Sequence, residues 1–155
     1  MNPPRNDPSA SRDFTALLCL DSQEQLETGT VQLSSLGFEV HTVSTPEQAL
    51  AHLYSHSYDV MLISDDFGGG DAETHPVLAE LATLPLDLRR SMFVILIGPN
   101  LTSHSKVQAF ALSVDLVIRP QDVMNLKALV GQGLAQHEEF YAAFHAVTRL
   151  INKEG

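Results

Sequence analysis

The chain has 155 residues, one domain's worth, with 44% apolar and 18% charged residues, the make-up of an ordinary globular protein. Nine basic residues stand against nineteen acidic ones, giving a formal charge of −10. That sign argues against a binder of nucleic-acid backbone, which needs a basic face, and against docking on an anionic membrane. No apolar run approaches the roughly 18 residues of a membrane span. The single cysteine, Cys19, lies inside an apolar run and has no intramolecular partner, so a small buried hydrophobe in a reducing, cytoplasmic compartment is expected.

Residues 1–13, MNPPRNDPSASRD, hold three prolines and many small polar residues, and are expected to form a disordered tail without a secretory signal's apolar centre. Thr15–Leu20 is then a short apolar run, a buried strand closed by Asp21-Ser22. Leu26, Val31, Leu33 and Leu36 mark one face of a helix over 23–36, with Gly37 as its stop. Phe38–Val43 alternates as a second strand. Ser44-Thr45-Pro46 combines a capping hydroxyl with a proline in the first turn, opening a helix that runs to about Tyr54. Val60–Ile63 is the third and most apolar strand and leads into Ser64-Asp65-Asp66-Phe67-Gly68-Gly69-Gly70-Asp71. A helix is expected over Glu73–Leu84, a fourth strand at Met92–Ile97, a short helix at Ser105–Leu112 and a fifth strand at Leu116–Ile118. A long helical stretch follows from about Asp122 to Asn152.

Apolar strands alternating with helices predict an α/β fold, a doubly wound five-stranded parallel sheet covered on both faces. Functional groups in such sheets lie beyond the carboxyl ends of the strands. The residues to weigh are therefore Asp21-Ser22, Ser64-Asp65-Asp66, Gly98 and Arg119. Other patterns are weaker. Gly68–Gly70 lacks the lysine of a phosphate-binding loop and reads as a flexible loop. His52 and His56 lie four apart on one helix and could share a metal, but read better as a surface pair. Ser22, Ser64 and the seven histidines come without the G-x-S-x-G elbow of a hydrolase.

Three segments, in order, carry a resemblance. They are Leu36-Gly37-Phe38-Glu39-Val40 with Pro46-Glu47-Gln48-Ala49-Leu50, then Tyr58-Asp59-Val60-Met61-Leu62-Ile63, then Ser113–Ile118 followed by Arg119-Pro120. Together they resemble the response-regulator receiver family over about residues 14 to 135. The resemblance implies the flavodoxin-like strand order 2-1-3-4-5. It also implies a pair of carboxylates after strand one to hold Mg²⁺ and an aspartate at the end of strand three to take a phosphoryl group.

Several positions depart from that pattern. Asp21 is followed by Ser22 rather than a second acid. Counting from Asp59 puts Ser64 at the acceptor's place, and Asp71 at the family's later D-G supports that register. Gly98 stands where the family has a hydroxyl residue, Leu116 where it has a switch aromatic, and Arg119 where it has a lysine. A one-residue slip of strand three would instead offer Asp65 or Asp66 as acceptor, with Asp21 and Mg²⁺. The reading is a pseudo-receiver: not an enzyme, without cofactor or metal, acting as a protein-interaction module. With no metal to hold Asp21, Arg119 is expected to pair with it or with Asp65.

The C-terminal stretch supplies a candidate interface. Val123, Leu126, Val130, Gly133, His137, Phe140, Phe144, Val147 and Ile151 repeat at spacings of three and four, a heptad seam that Tyr141 widens. A continuous helix would span about 47 Å at about 1.5 Å per residue, and a kink is plausible at Gly131 and Gly133. Residues 136–155 are expected to be a helical extension through which the chain dimerises or docks a protein partner, together with the fourth helix and fifth strand. Two alternatives remain: a working phospho-receiver, and a small-ligand or hydrolase site at the sheet's carboxyl edge.

Overall fold

The computed structural model describes residues 14–70 and 74–136. Five strands, β1 (Phe14–Cys19), β2 (Phe38–Val43), β3 (Val60–Ser64), β4 (Phe93–Ile97) and β5 (Leu116–Ile118), form one sheet in the order β2-β1-β3-β4-β5. Every pairing is parallel, as the alternation of strands and helices predicts. The register sets Ala16 beside Val60, Ser64 beside Ile97, and Ile97 beside Ile118.

Successive strand residues point to opposite faces. Met61, Ile63, Val94 and Leu96 therefore join one core with Ala49, Leu53, Val77, Leu81 and Ala109 from the helices above. Val60, Leu62, Ile95 and Ile97 join the other with Leu33, Val123, Leu126 and Val130 from the helices below. All ten residues of β3 and β4 are buried, which is why those segments read as unbroken apolar runs.

The helices begin where local chemistry dictates. Ser22 caps α1 (Gln23–Ser35), its hydroxyl accepting from the Gln25 N–H at 3.2 Å, and Thr45 caps α2 (Pro46–Ser55) in the same way. The helix read as Glu73–Leu84 is shorter. α3 (Pro76–Thr83) starts after His75, and a further turn, α4 (Leu86–Arg90), precedes β4. Arg89 fastens that turn by donating to the Met92 and Ser113 carbonyls and to the Asp115 carboxylate. α5 (Lys106–Leu112) leads to β5, and a 3-10 turn (Pro120–Asn125) opens the last helix, α6, described over 126–136. The Gln32 side-chain amide bridges α1 to that turn, donating to the Met124 carbonyl and accepting from the Lys127 N–H.

The C-terminal expectations need correction. Val123 is 3% exposed and Leu126 and Val130 are fully buried, packed against the chain's own sheet, so none of the three is available to a partner. Their three-and-four spacing marks a core-facing stripe, which a heptad pattern mimics. Among the described residues the helix continues without a break through Gly131 and Gly133 to residue 136. A Cβ on Gly133 would lie 2.9 Å from Phe93 Cε1, so this glycine lets α6 lie flat on the start of β4. Phe140, Tyr141, Phe144, Val147 and Ile151, like the N-terminal tail and Asp71, lie outside the described residues.

Candidate functional site

At the carboxyl edge of the sheet, the ladder continues one residue past β3, where the Asp65 N–H donates to the Ile97 carbonyl at 2.8 Å. Ser64 shares its side-chain parity with Val60 and Leu62, and Asp65 shares that of Met61 and Ile63. Ser64 is 6% exposed, and its hydroxyl has no protein hydrogen-bond partner among the described residues. Asp65 is half-buried and lies over Gly98. A Cβ on Gly98 would fall 2.7 Å from Asp65 Cγ and 3.0 Å from Leu101 Cδ1, so the space beside this glycine is already filled by the carboxylate.

Asp21 is engaged by the next loop, its carboxylate accepting from the Gly68 N–H at 3.2 Å. Ser22 has its hydroxyl committed to the α1 cap. Asp66 is exposed, while Phe67 turns inward to 1% exposure. Arg119 corrects an expectation. It is exposed and forms no ion pair among the described residues, with its backbone N–H donating to Ser103 Oγ at 2.9 Å. Exposed arginine gains little from a surface pair in water, so nothing compels it inward. Leu116 is half-buried against the core that holds α1 and α6.

The residue that sequence reasoning missed is His75. It is 3% exposed and stacks on Phe67, with ring centroids 6.4 Å apart and planes 20° apart. Its Nδ1 faces the N–H groups of Val77 (3.2 Å) and Leu78 (3.5 Å), so it acts as the N-cap of α3. That assignment leaves the proton on Nε2, which donates to the Ser64 carbonyl at 3.0 Å. Burial pushes the imidazole below its ordinary value of 6.5, while the Ser64 carbonyl and the carboxylates of Asp66 and Asp21 pull it back up. Pro76 at the first helical position was the available signal, since the residue before such a proline is a cap.

One acid, Asp21, stands where the resemblance calls for a pair of carboxylates to hold Mg²⁺. A hard divalent ion takes oxygen ligands, several of them charged. Here Asp21 and Ser22 are already bonded to backbone N–H groups, and no three His, Cys, Asp or Glu side chains among the described residues are placed to hold a metal. Neither serine hydroxyl bonds a histidine among the described residues. His52 and His56 do stack, 5.3 Å apart, and His41 from β2 joins them at 6.3 and 5.5 Å. The His41 ring bridges Tyr58 Oη (2.7 Å) and Glu39 Oε2 (2.8 Å). Burial pushes the Tyr58 hydroxyl up to about 12, so that phenol stays protonated.

No family model matches the chain, and no curated protein resembles it in sequence. Solved structures do resemble it in fold. A signal receiver domain from Vibrio parahaemolyticus superposes with a TM-score of 0.68 at 14% identity, covering 85% of this chain and 98% of that one. A CheY-like receiver domain from Methanospirillum hungatei JF-1 gives 0.65 at 18% identity, covering 83% and 98%. An orphan response regulator of H. pylori gives 0.60 at 20% identity, covering 78% and 96%. The fold is therefore that of the response-regulator receiver domains.

Proposed function

We propose that this chain is a pseudo-receiver: a signalling module that works by binding protein, either a second copy or a partner, without being phosphorylated and without catalysing a reaction. The observation that carries this reading is the Asp65 carboxylate lying over Gly98. A receiver keeps a hydroxyl side chain at that position to meet a phosphoryl oxygen, and here no hydroxyl is present and the same space is already filled by the Asp65 side chain. The buried Ser64 at the strand end and the engagement of Asp21 by Gly68 support the same conclusion. Exposed Phe110 and Val107 on α5 are apolar groups open to a partner, the sequence adds Phe140, Tyr141, Phe144, Val147 and Ile151 as candidates outside the described residues, and the acidic charge disfavours nucleic acid.

Acetyl phosphate with Mg²⁺ tests the proposal. The intact mass is expected to stay unchanged, and fluoroberyllate is expected to leave the Tm where it was. A gain of one phosphoryl group that disappears in Asp65→Asn or Asp66→Asn would establish the working phospho-receiver instead.

A further inference from the structure

We propose that His75 is a pH-operated latch: as the neutral imidazole it ties the end of β3 to the first turn of α3, and as the imidazolium it releases that turn. The inference does not depend on whether the site is phosphorylated, and it rests on three bonds. Nε2–H donates to the carbonyl of Ser64, the last residue of β3, and Nδ1 accepts from the Val77 and Leu78 N–H groups that open α3. Between them the ring covers Phe67, itself 1% exposed.

Only the neutral ring can do both. A proton on Nδ1 abolishes its lone pair, so two buried N–H groups lose their acceptor at once. It also sets a cation against the positive end of the helix dipole, the unfavourable sense. The charged groups that reach the ring are Asp66 from the turn after β3 and Asp21 from the loop after β1, while the first turn of α3 carries no acid. Both carboxylates favour the cation, but burial of the ring opposes it and is the larger influence.

The direction of the effect follows by linkage. A histidine held below its ordinary value in the attached state binds its proton more readily once detached. The latch is therefore fully closed above that ordinary value and weakens as the pH falls below it. Other histidines are placed differently. His52 and His56 stack on each other and His41 meets them edge-on, and none of the three caps a helix start.

Amide hydrogen exchange of the full chain between about pH 7.5 and pH 5, corrected for intrinsic exchange, reads the latch directly. Protection at Val77 and Leu78 is expected to fall by up to about tenfold per pH unit between the ordinary histidine value and the lower value of the attached ring, and to level off below that. His75→Asn keeps a side-chain acceptor at the cap but does not titrate, so protection at these amides is expected to be flat with pH. Should that variant fail to fold, the ¹⁵N shifts of the wild-type His75 ring decide. Its midpoint is expected to lie below 6.5 and to coincide with the pH at which the fall in protection levels off. Flat protection in the wild type, an equal fall in His75→Asn, or a fall that levels off at a pH far from the ring midpoint would overturn the proposal.

Discussion

Gly98→Ala places a methyl group where the Asp65 carboxylate lies, and the size of the effect follows from the geometry. The new carbon would approach Asp65 Cγ to 2.7 Å and Leu101 Cδ1 to 3.0 Å, both inside van der Waals contact. Because Cγ itself is in the way, turning the carboxylate about its own axis does not help, and the whole side chain must leave its rotamer. Inserting a carbon into filled space costs about 1–3 kcal/mol, and the half-buried position of Asp65 allows an exit towards solvent that holds the cost near the lower end. Urea denaturation of the wild type, Gly98→Ala, Asp65→Ala and the double variant isolates the clash from whatever else Asp65 contributes. The double variant is expected to be more stable than the sum of the single changes by about 1 kcal/mol, within the range found for contacting residues. Additive effects would mean that the carboxylate does not occupy the space beside Gly98, and the reading of the site would lose its main support.

Ser64→Ala removes a buried hydroxyl that has no protein partner among the described residues, so it is expected to be neutral or to raise stability by up to about 1 kcal/mol, read as the urea midpoint. A clear loss of stability would show that the hydroxyl is satisfied after all. Arg119→Ala is expected to change stability by less than about 0.5 kcal/mol, because the exposed guanidinium makes no ion pair among the described residues. A loss of several kcal/mol in thermal melts would restore the buried pair. If residues 140–151 form the contact between copies, light scattering at tens of micromolar should give a dimer that Phe144→Asp weakens without unfolding the domain. A monomeric wild type would remove that part of the proposal.

The sheet was legible because its central strands are buried on both faces. Val60–Ile63 and Met92–Ile97 have no polar residue to interrupt them, and a run that apolar and that short fits few other structures. The helix start at Thr45 was equally plain, since a capping hydroxyl acts within three residues of itself, and Ser22, read only as the end of a strand, caps α1 by the same local bond. What stayed hidden depends on distant partners. α4 is a single turn held by the bonds of Arg89 to Met92, Ser113 and Asp115, and local preference alone would not mark it. The site divides in the same way. Ser64, Asp21 and Gly98 could be placed by counting, but the fit of Asp65 over Gly98 is a contact across two strands. The opposite fate of Arg119, turned to water, is likewise set by surroundings that spacing does not contain. His75 lay within reach of local reasoning, through Pro76, yet its bond back to Ser64 spans the whole turn after β3.

The C-terminal stripe shows why periodicity identifies a buried face without naming what buries it. Val123, Leu126 and Val130 cover the sheet from its carboxyl edge downwards, and Gly133 meets Phe93, the first residue of β4. At that point the sheet ends. The sequence nevertheless keeps the same three-and-four spacing through Phe140, Phe144, Val147 and Ile151, and a helix advances about 1.5 Å per residue. A stripe continued at that pitch would pass roughly 10 Å or more beyond the last strand residue it could cover. Burying one such side chain is worth about 1.5–3 kcal/mol, so leaving four in water would be a substantial cost. The stripe that packs the core in α6 thus supplies, farther along the chain, the physical reason to look for a second surface, and a symmetry-related copy presents the same residues in return.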